Sequence, residues 1–357
     1  MTLPTLYKRT KTNSIQICDI TTSTDTYTVS FGKLNGKMQT KTTICYPKNI
    51  NRSNATTVEQ QAVIEAQAKW NKKIKSGYST SKEAPITVQL PMKVGKYQDY
   101  ESKIKFPAIA TIKYNGVNVI FRIVDNILKC YSRGGEEYQV PPHLKQPILN
   151  TLLAYRQSSI NCELYSHNEY LQDIQAAVTK HNNLTSKLIA IAFDFPDLNL
   201  NFEKRHKVLQ TITTMHVAYP EFIKVHNHTE IKSYLSHAMH NGYEGLVIKN
   251  LNGMYKYNIR TLSQFKYKLT QDAEFKIKAF SVDKNKHPVF VLESKGGDFK
   301  AKPKGTNEQR SALLQQAPNL IGKYATIEFE TYSKLNKPLK PVFIQVRNCD
   351  KSGNPLE

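Results

Sequence analysis

The stretch that decides the fold is residues 110–121, ATIKYNGVNVIF, in which two β-type apolar runs flank a lysine and an Asn-Gly pair. Lysine is rarely buried, so a lysine that ends an apolar strand requires a partner or a chemical role. Burial or cationic neighbours lower the pKa of such an amine and make it a nucleophile. Lys113 is therefore a candidate nucleophile, although a surface lysine before a turn gives the same pattern.

Around this stretch, residues 86–270 alternate short apolar strands with helical segments, as in LIAIAFDF, KRHKVLQTITTM and YEGLVIKN. This alternation predicts a central α+β or α/β domain with a substantial sheet. From residue 271 to 357 short strands dominate, among them EFKIKAFSV and KPVFIQVR, and Gly, Pro and Asn separate them. That pattern predicts a small β-barrel.

Residues 1–78 predict a separate domain made of a small sheet and one helix. β-Branched and aromatic residues alternate across residues 5–45, and Asn35-Gly36 is a hairpin signal. The helix is predicted over 57–77, with Thr57 and Gln60 as a capping box and Val63, Ala66 and Trp70 on one face. Residues 79–85, STSKEAP, are predicted to be a linker.

The charge of the chain indicates a polyanionic partner. Fifty Lys and Arg residues stand against 29 Asp and Glu, for a net charge of +21, and basic side chains that neutralise phosphates release counterions. The five cysteines are far apart and form no C-x-x-C pair, which argues against disulfides and zinc. With neither a long apolar run nor a secretory signal, we expect a cytoplasmic protein without membrane contact.

Three further motifs carry charged residues next to apolar strands. NCELY (161–165) places Glu163 in a strand, where it can bind a sugar hydroxyl or a metal. In GYEGLVIKN (242–250), alternation puts Glu244 on the face of Leu246, and Gly245 would allow a ligand to approach the backbone closely. In QFKYKL (264–269), Lys266 and Lys268 point the same way and repel each other unless an anion lies between them. Each motif also fits an ordinary structural role.

Taken in this order, the motifs resemble those of the covalent nucleotidyltransferases: ATP-dependent DNA ligases, RNA ligases and mRNA capping enzymes. Residues 113–116 resemble the adenylated-lysine motif, and residues 132–134, SRG, the short motif that follows it. The resemblance implies Lys113 as the catalytic residue, and an ATP- and AMP-binding set of Thr111, Ile112, Arg133, Glu163, Phe193, Val247, Lys249, Lys266 and Lys268. It also implies Glu244 and Glu163 as ligands of Mg²⁺ or Mn²⁺.

The ends of the chain narrow the resemblance to small viral and phage DNA ligases. Residues 271–357 resemble the OB-fold domain of a DNA ligase, with Arg347, Asp350 and Lys351 near its terminal basic motif. Residues 1–78 resemble a WGR-type DNA-binding domain, in which Phe31-Gly32-Lys33 replaces Trp-Gly-Arg. The implied DNA contacts are Lys33, Lys72, Lys73 and Arg347. The implied central domain has the mixed sheets of an ATP-grasp-like nucleotidyltransferase.

The function implied is sealing of 3′-hydroxyl/5′-phosphate nicks in duplex DNA by a monomer, in a bacterial cell or a virus-infected host cell. Lys113 would attack the α-phosphate of ATP, and AMP would pass to the DNA 5′-phosphate before the 3′-hydroxyl displaces it. Lys249, Lys266 and Lys268 would neutralise the α-phosphate and help to keep Lys113 deprotonated. Such transfers depend on alignment and charge stabilisation.

Two departures from the family pattern leave alternatives open. The usual K-x-D-G-x-R is K-Y-N-G-V-N here, so Asn115 and Asn118 replace an acid and an arginine. Asparagine at the last position is more typical of one branch of RNA ligases. An RNA ligase, a GTP-dependent capping enzyme and a non-catalytic DNA-binding protein therefore remain alternatives.

Overall fold

The computed structural model describes residues 1–10, 14–82, 89–197, 199–350 and 356. Residues 1–78 contain a four-stranded antiparallel sheet in the order β1-β2-β3-β4, with one helix against it. The elements are β1 (Leu6–Arg9), β2 (Ile15–Thr22), β3 (Thr26–Lys33), β4 (Met38–Ile44) and α1 (Val58–Lys75).

Local signals of this first region are confirmed. Asn35 has a φ of 60° between β3 and β4, as a tight turn requires, and Thr57 and Gln60 form the predicted capping box. The predicted helix face is wrong by one position, because Val63 is exposed whereas Ala62 and Ala66 are buried. The two alanines let the helix lie close to the sheet, and Trp70 packs beside them.

The central region contains two mixed sheets that share one hydrophobic core. The six-stranded sheet has the order β12-β11-β10-β7-β8-β9, and the five-stranded sheet has the order β13-β6-β14-β15-β5. The elements are β5 (Lys93–Lys96), β6 (Ala108–Lys113), β7 (Val117–Val124), β8 (Ile127–Ser132), β9 (Glu137–Tyr138), α2 (Pro142–Ala154), β10 (Ser159–Tyr165), α3 (Leu171–Thr179), β11 (Ile189–Asp194), α4 (Phe202–Leu209), β12 (Val217–Ala218), β13 (Phe222–Val225), α5 (His228–His240), β14 (Gly245–Asn250) and β15 (Arg260–Tyr267).

The chain passes from one sheet to the other directly after Lys113. β6 belongs to the five-stranded sheet and β7 to the six-stranded sheet, so residues 114–116 bridge them. Residues 110–121 therefore contain the connection between the two sheets of the central domain.

The C-terminal region is a closed five-stranded barrel in the order β16-β17-β18-β20-β19, as predicted. Its elements are β16 (Gln271–Val282), β17 (Pro288–Leu292), β18 (Phe299–Pro303), α6 (Asn307–Gln316), β19 (Tyr324–Phe329) and β20 (Val342–Arg347). Helix α6 is not among the elements predicted from the sequence, although Thr306 and Gln309 form a second capping box.

The domain boundaries stay predictions. Residues 83–85 of the predicted linker, residues 86–88 at the start of the predicted central domain, and Lys351 lie outside the described residues. Across the parts of the chain that are described, no helix is long and apolar enough to cross a membrane.

Candidate active site

A cleft opens between the two central sheets, and it collects most of the residues singled out from the sequence. The five-stranded sheet contributes Thr111, Ile112, Lys113, Val247, Lys249 and Gln264 to its lining. The opposite wall contributes Asn118, Arg133, Glu163, Ile191 and Phe193. The sequence therefore predicted eight of these eleven positions as site residues, and it missed Gln264 and Ile191 while treating Asn118 only as a departure.

Strand register orders the five-stranded wall into rows. Neighbouring rows are two residues apart, and a strand rises about 3.3 Å per residue, so the first and third rows lie roughly 13 Å apart. The rows are Lys113–Gly245, then Thr111–Val247–Lys266, then Ile109–Lys249–Gln264. We call the Lys113 row, with Glu244 and Lys268, the charged end, and the Lys249–Gln264 row the buried end.

At the charged end, Lys113 is ion-paired with Glu244, which also binds Lys268. Burial lowers the pKa of Lys113, but Glu244 and Glu163 outweigh burial, and the net pKa lies above its ordinary value. Burial raises the pKa of Glu244, but Lys113 and Lys268 bring the net pKa below its ordinary value. These charges therefore favour the protonated form of Lys113, and the expectation that nearby lysines help to keep it neutral during the reaction stays a prediction.

The backbone at Gly245 explains why Glu244 faces Lys113. Gly245 has a φ of 144°, so strand alternation breaks there. Contrary to the prediction, Glu244 does not lie on the core-facing side of Leu246. A Cβ at Gly245 would lie 2.1 Å from the carbonyl oxygen of Tyr267. This glycine thus allows β15 to approach closely, while the approach of a ligand to its backbone stays a prediction.

Glu163 enters the cleft from the opposite sheet. It accepts hydrogen bonds from Asn118 Nδ2, at 3.3 Å, and from the Gly116 N–H. Burial raises the pKa of Glu163 despite the nearby charge of Lys113. A Cβ at Gly116 would lie 2.3 Å from the Leu164 carbonyl oxygen, so glycine is required for this strand contact.

At the buried end, Lys249 is 2% exposed. Its Nζ donates to the Phe193 carbonyl oxygen at 2.6 Å and lies 4.7 Å from the centre of the Phe202 ring. Burial lowers the pKa of Lys249 to about 8, with Asp194 opposing and Arg205 adding to the shift. Lys249 is two rows from Lys113, so its position does not favour the α-phosphate role that the resemblance implied.

Lys266 and Lys268 also line a second cleft, between the central domain and the barrel. Lys268 is 3.4 Å from Glu330 of the barrel, and Lys340 is 2.6 Å from the same carboxylate. Burial, with Lys268 and Lys113, lowers the pKa of Lys266. We call this surface the lysine cleft; its cationic residues are Lys96, Lys266, Lys268, Lys304 and Lys340. Two carboxylates, Glu244 and Glu330, contact Lys268.

The residues expected to contact DNA lie outside the first cleft. Lys33 and Lys72 are exposed on the N-terminal region. Lys73 packs over the rings of Phe31, at 5.1 Å, and Tyr78, at 4.8 Å. Arg347 ends β20, with its Nε 4.0 Å from Glu274 Oε1. Because Val342, at the other end of β20, lines the lysine cleft, Arg347 and Asp350 lie away from Lys268.

Comparisons with known proteins place this geometry in a family. Residues 91–268 match the family described as ATP dependent DNA ligase domain. The DNA ligase of African swine fever virus (isolate Tick/South Africa/Pretoriuskop Pr4/1996) is 27% identical over 333 residues, which cover 84% of this chain and 78% of that protein. The DNA ligase of Enterobacteria phage T4 is 22% identical over 329 residues, with coverage of 71% and 67%.

A solved Lig E DNA ligase has the same fold over 73% of this chain and 100% of its own, with a TM-score of 0.59 and 19% identity. The family match covers the strands that form the cleft, so the central region is a nucleotidyltransferase domain of the ATP-dependent DNA ligase class. With the relatives above, this identifies the chain as an ATP-dependent DNA ligase, an enzyme that forms phosphodiester bonds. The interpretation of residues 1–78 as a WGR-like domain stays a prediction.

Proposed function

We propose that the chain seals 3′-hydroxyl/5′-phosphate nicks in duplex DNA and carries AMP on Lys113 as its intermediate. The observation that supports this most directly is the order of side chains along the first cleft. A lysine, two carboxylates and a second lysine stand at one end, and an aromatic ring faces Val247 further in. A nucleotide has the same order, from phosphate through ribose to base.

In this arrangement the base lies between Phe193 and Val247, which belong to opposite sheets. Glu163 binds the ribose, and Arg133 contacts the ribose or the nick phosphate. Lys266 and Lys268 neutralise the phosphates. Lys249, at the buried end, donates to the base rather than to the α-phosphate, because two rows of the sheet separate it from Lys113.

The carboxylates fit a divalent cation, Mg²⁺ or Mn²⁺, that is shared with the substrate. No group of three or more His, Cys, Asp or Glu residues could hold a metal within the described ranges. Glu244 and Glu163 both lie beside Lys113, and Mg²⁺ in phosphate-transfer sites commonly takes one or two carboxylates plus substrate phosphates. Bound there, it would neutralise phosphate charge.

The same carboxylates explain how Lys113 becomes a nucleophile. A cation held by Glu244 would take the ion-pair partner away from Lys113, and burial would then lower the pKa of the amine. The neutral amine attacks the α-phosphate of ATP, forming the N–P bond as the bond to pyrophosphate breaks. The lysyl proton leaves to solvent.

Nicked DNA would bind chiefly through its phosphates, so binding would be salt-dependent and independent of sequence. Lys33, Lys72 and Arg347 are exposed and placed for such contacts, whereas Lys73 already packs on aromatic rings. We further propose a cytoplasmic monomer whose residues 1–78 form a WGR-like DNA-binding domain.

RNA-end joining is the second candidate, favoured by Asn118. The amide donates to Glu163 where the family's arginine would bring charge, and its Oδ1 is buried without a partner. Comparing the sealing rate of a nicked DNA duplex with that of a duplex nicked in an RNA strand separates the two activities.

The adduct tests the proposal. Incubation with radiolabelled ATP and Mg²⁺ should label the wild type and Lys187→Ala, a matched change of an exposed lysine, but not Lys113→Ala. An unlabelled wild type would contradict the mechanism. Labelling by GTP in preference to ATP would point to the capping enzymes.

A further inference from the structure

The buried end of the first cleft holds a polar residue to which the mechanism gives no role. Gln264 lies on β15, directly opposite Lys249 of β14. Only Phe265 lies between it and Lys266, so both side chains point to the same face of the strand. Gln264 is 7% exposed and lines the cleft.

The hydrogen-bonding capacity of this end is largely unused. Among the described residues, the Gln264 side-chain amide has no hydrogen-bond partner, and Lys249 donates only to the Phe193 carbonyl oxygen. A primary amide offers an acceptor oxygen and two N–H donors, whereas an ammonium only donates. Leaving such groups unpaired after a ligand has excluded water costs about 1–3 kcal/mol each, so a ligand that binds here must supply both donors and acceptors.

We propose that Gln264 selects adenine, its Oε1 accepting from the 6-amino group and its Nε2 donating to a neighbouring ring nitrogen. This inference rests on the proposed seating of ATP, with its base between Phe193 and Val247. Glutamine pairs in this two-point manner with adenine. Guanine has an oxygen at position 6, which would face Oε1 with no proton between them.

Lys249 strengthens the selection because it cannot accept. In the row formed by Ile109, Lys249 and Gln264, the side-chain atom that can accept a hydrogen bond from an amino group is Gln264 Oε1. A ring nitrogen of adenine accepts from Lys249 or from Gln264 Nε2, and both donors lie in the same row.

The test compares ATP with the triphosphate of purine riboside, in which hydrogen replaces the 6-amino group. We expect wild type to form the lysyl adduct with a kcat/KM about 10- to 100-fold higher for ATP, the cost of one unpaired buried group. In Gln264→Leu the ratio should fall towards one. Gln264→Glu, which keeps an acceptor oxygen, should retain the preference, and Gln146→Leu, on the exposed face of α2, should match the wild type.

Calorimetric binding of the two nucleotides to the same four proteins, without Mg²⁺, measures the ratio independently of the covalent step. A wild-type preference that Gln264→Leu leaves intact would overturn the role of Gln264. A preference that disappears in Gln264→Leu, in a protein that forms no adduct, would support the role of Gln264 and contradict the proposed chemistry instead.

Discussion

Lys113 and Lys249 lie on adjacent strands of one sheet, line one cleft and have opposite pKa shifts. At the charged end, Glu244 and Glu163 raise the pKa of Lys113. At the buried end, burial lowers the pKa of Lys249 to about 8. Burial disfavours the ammonium at both positions, so the carboxylates make the difference. The carboxylates therefore favour the protonated form of a reactive lysine, and the lysine would lose its proton more easily once its carboxylate partner binds another cation.

Replacing each lysine in turn tests most directly whether the two have different roles. Lys113→Ala should reduce adduct formation at least about 1,000-fold, because no other amine takes the place of a covalent nucleophile. Lys249→Ala should leave adduct formation detectable with ATP in excess. Radiolabelling at increasing ATP concentration measures adduct formation in both variants. If Lys249 were the nucleophile, raising the ATP concentration would not restore adduct formation in Lys249→Ala.

Glu244→Gln tests whether the carboxylate sets the charge of Lys113. We expect adduct formation to fall about 100-fold, as for loss of a ligand-orienting or charge-stabilising group. In wild type, the kcat/KM for adduct formation should rise with pH and level off only above about 10.4, the ordinary pKa of a lysine. In Glu244→Gln the inflection should move to lower pH, because burial then acts on Lys113 without its main counter-charge.

The control for this change is Glu136→Gln, which removes an exposed carboxylate paired with Lys75. Its pH profile should follow that of the wild type. An unchanged inflection in Glu244→Gln would mean that the ion pair with Glu244 does not set the pKa of Lys113.

Local signals in the sequence predicted the framework well because they act through the backbone of a few residues. Asn35-Gly36 gave the hairpin, and Thr57 with Gln60 gave the start of α1. The barrel followed from strand spacing. The missed helix α6 carries the same type of cap, and its lack of buried residues explains why no apolar periodicity marked it.

The site was less predictable, since it depends on distances between strands that are remote in sequence. Alternation puts Val247 and Lys249 on one face of the strand, but it could not show that Gly245 breaks the pattern and turns Glu244 towards Lys113. Nor could it show how deep Lys249 lies. Gln264 was within reach of the same rule, two residues before Lys266 on one strand.

Lys249→Met tests the buried end through stability. The folded pKa of Lys249 is about 8 and its ordinary value is 10.5, so between these values the unfolded chain binds more protons and wild-type stability rises with pH. Each pKa unit corresponds to about 1.4 kcal/mol. Relative to Lys249→Met, the wild-type free energy of unfolding should gain up to about 3 kcal/mol from pH 7.5 to 10.5.

Urea unfolding of the two proteins across this pH range measures the difference directly. If the difference in unfolding free energy did not change with pH, burial would not lower the pKa of Lys249 to about 8. The affinity for ATP should also fall about tenfold in Lys249→Met, the value of one hydrogen bond from a charged donor.

The smallest expected effect is at the lysine cleft, where Glu330 of the barrel competes with phosphate for Lys268. Glu330→Gln should lower the KM for ATP about two- to threefold at low salt, in keeping with the small energies of partly exposed ion pairs. The gain should shrink as salt screens the pair. Glu293→Gln, an exposed change elsewhere on the barrel, should show neither effect. A higher KM in Glu330→Gln would mean that the carboxylate positions Lys268 for phosphate rather than competing with it.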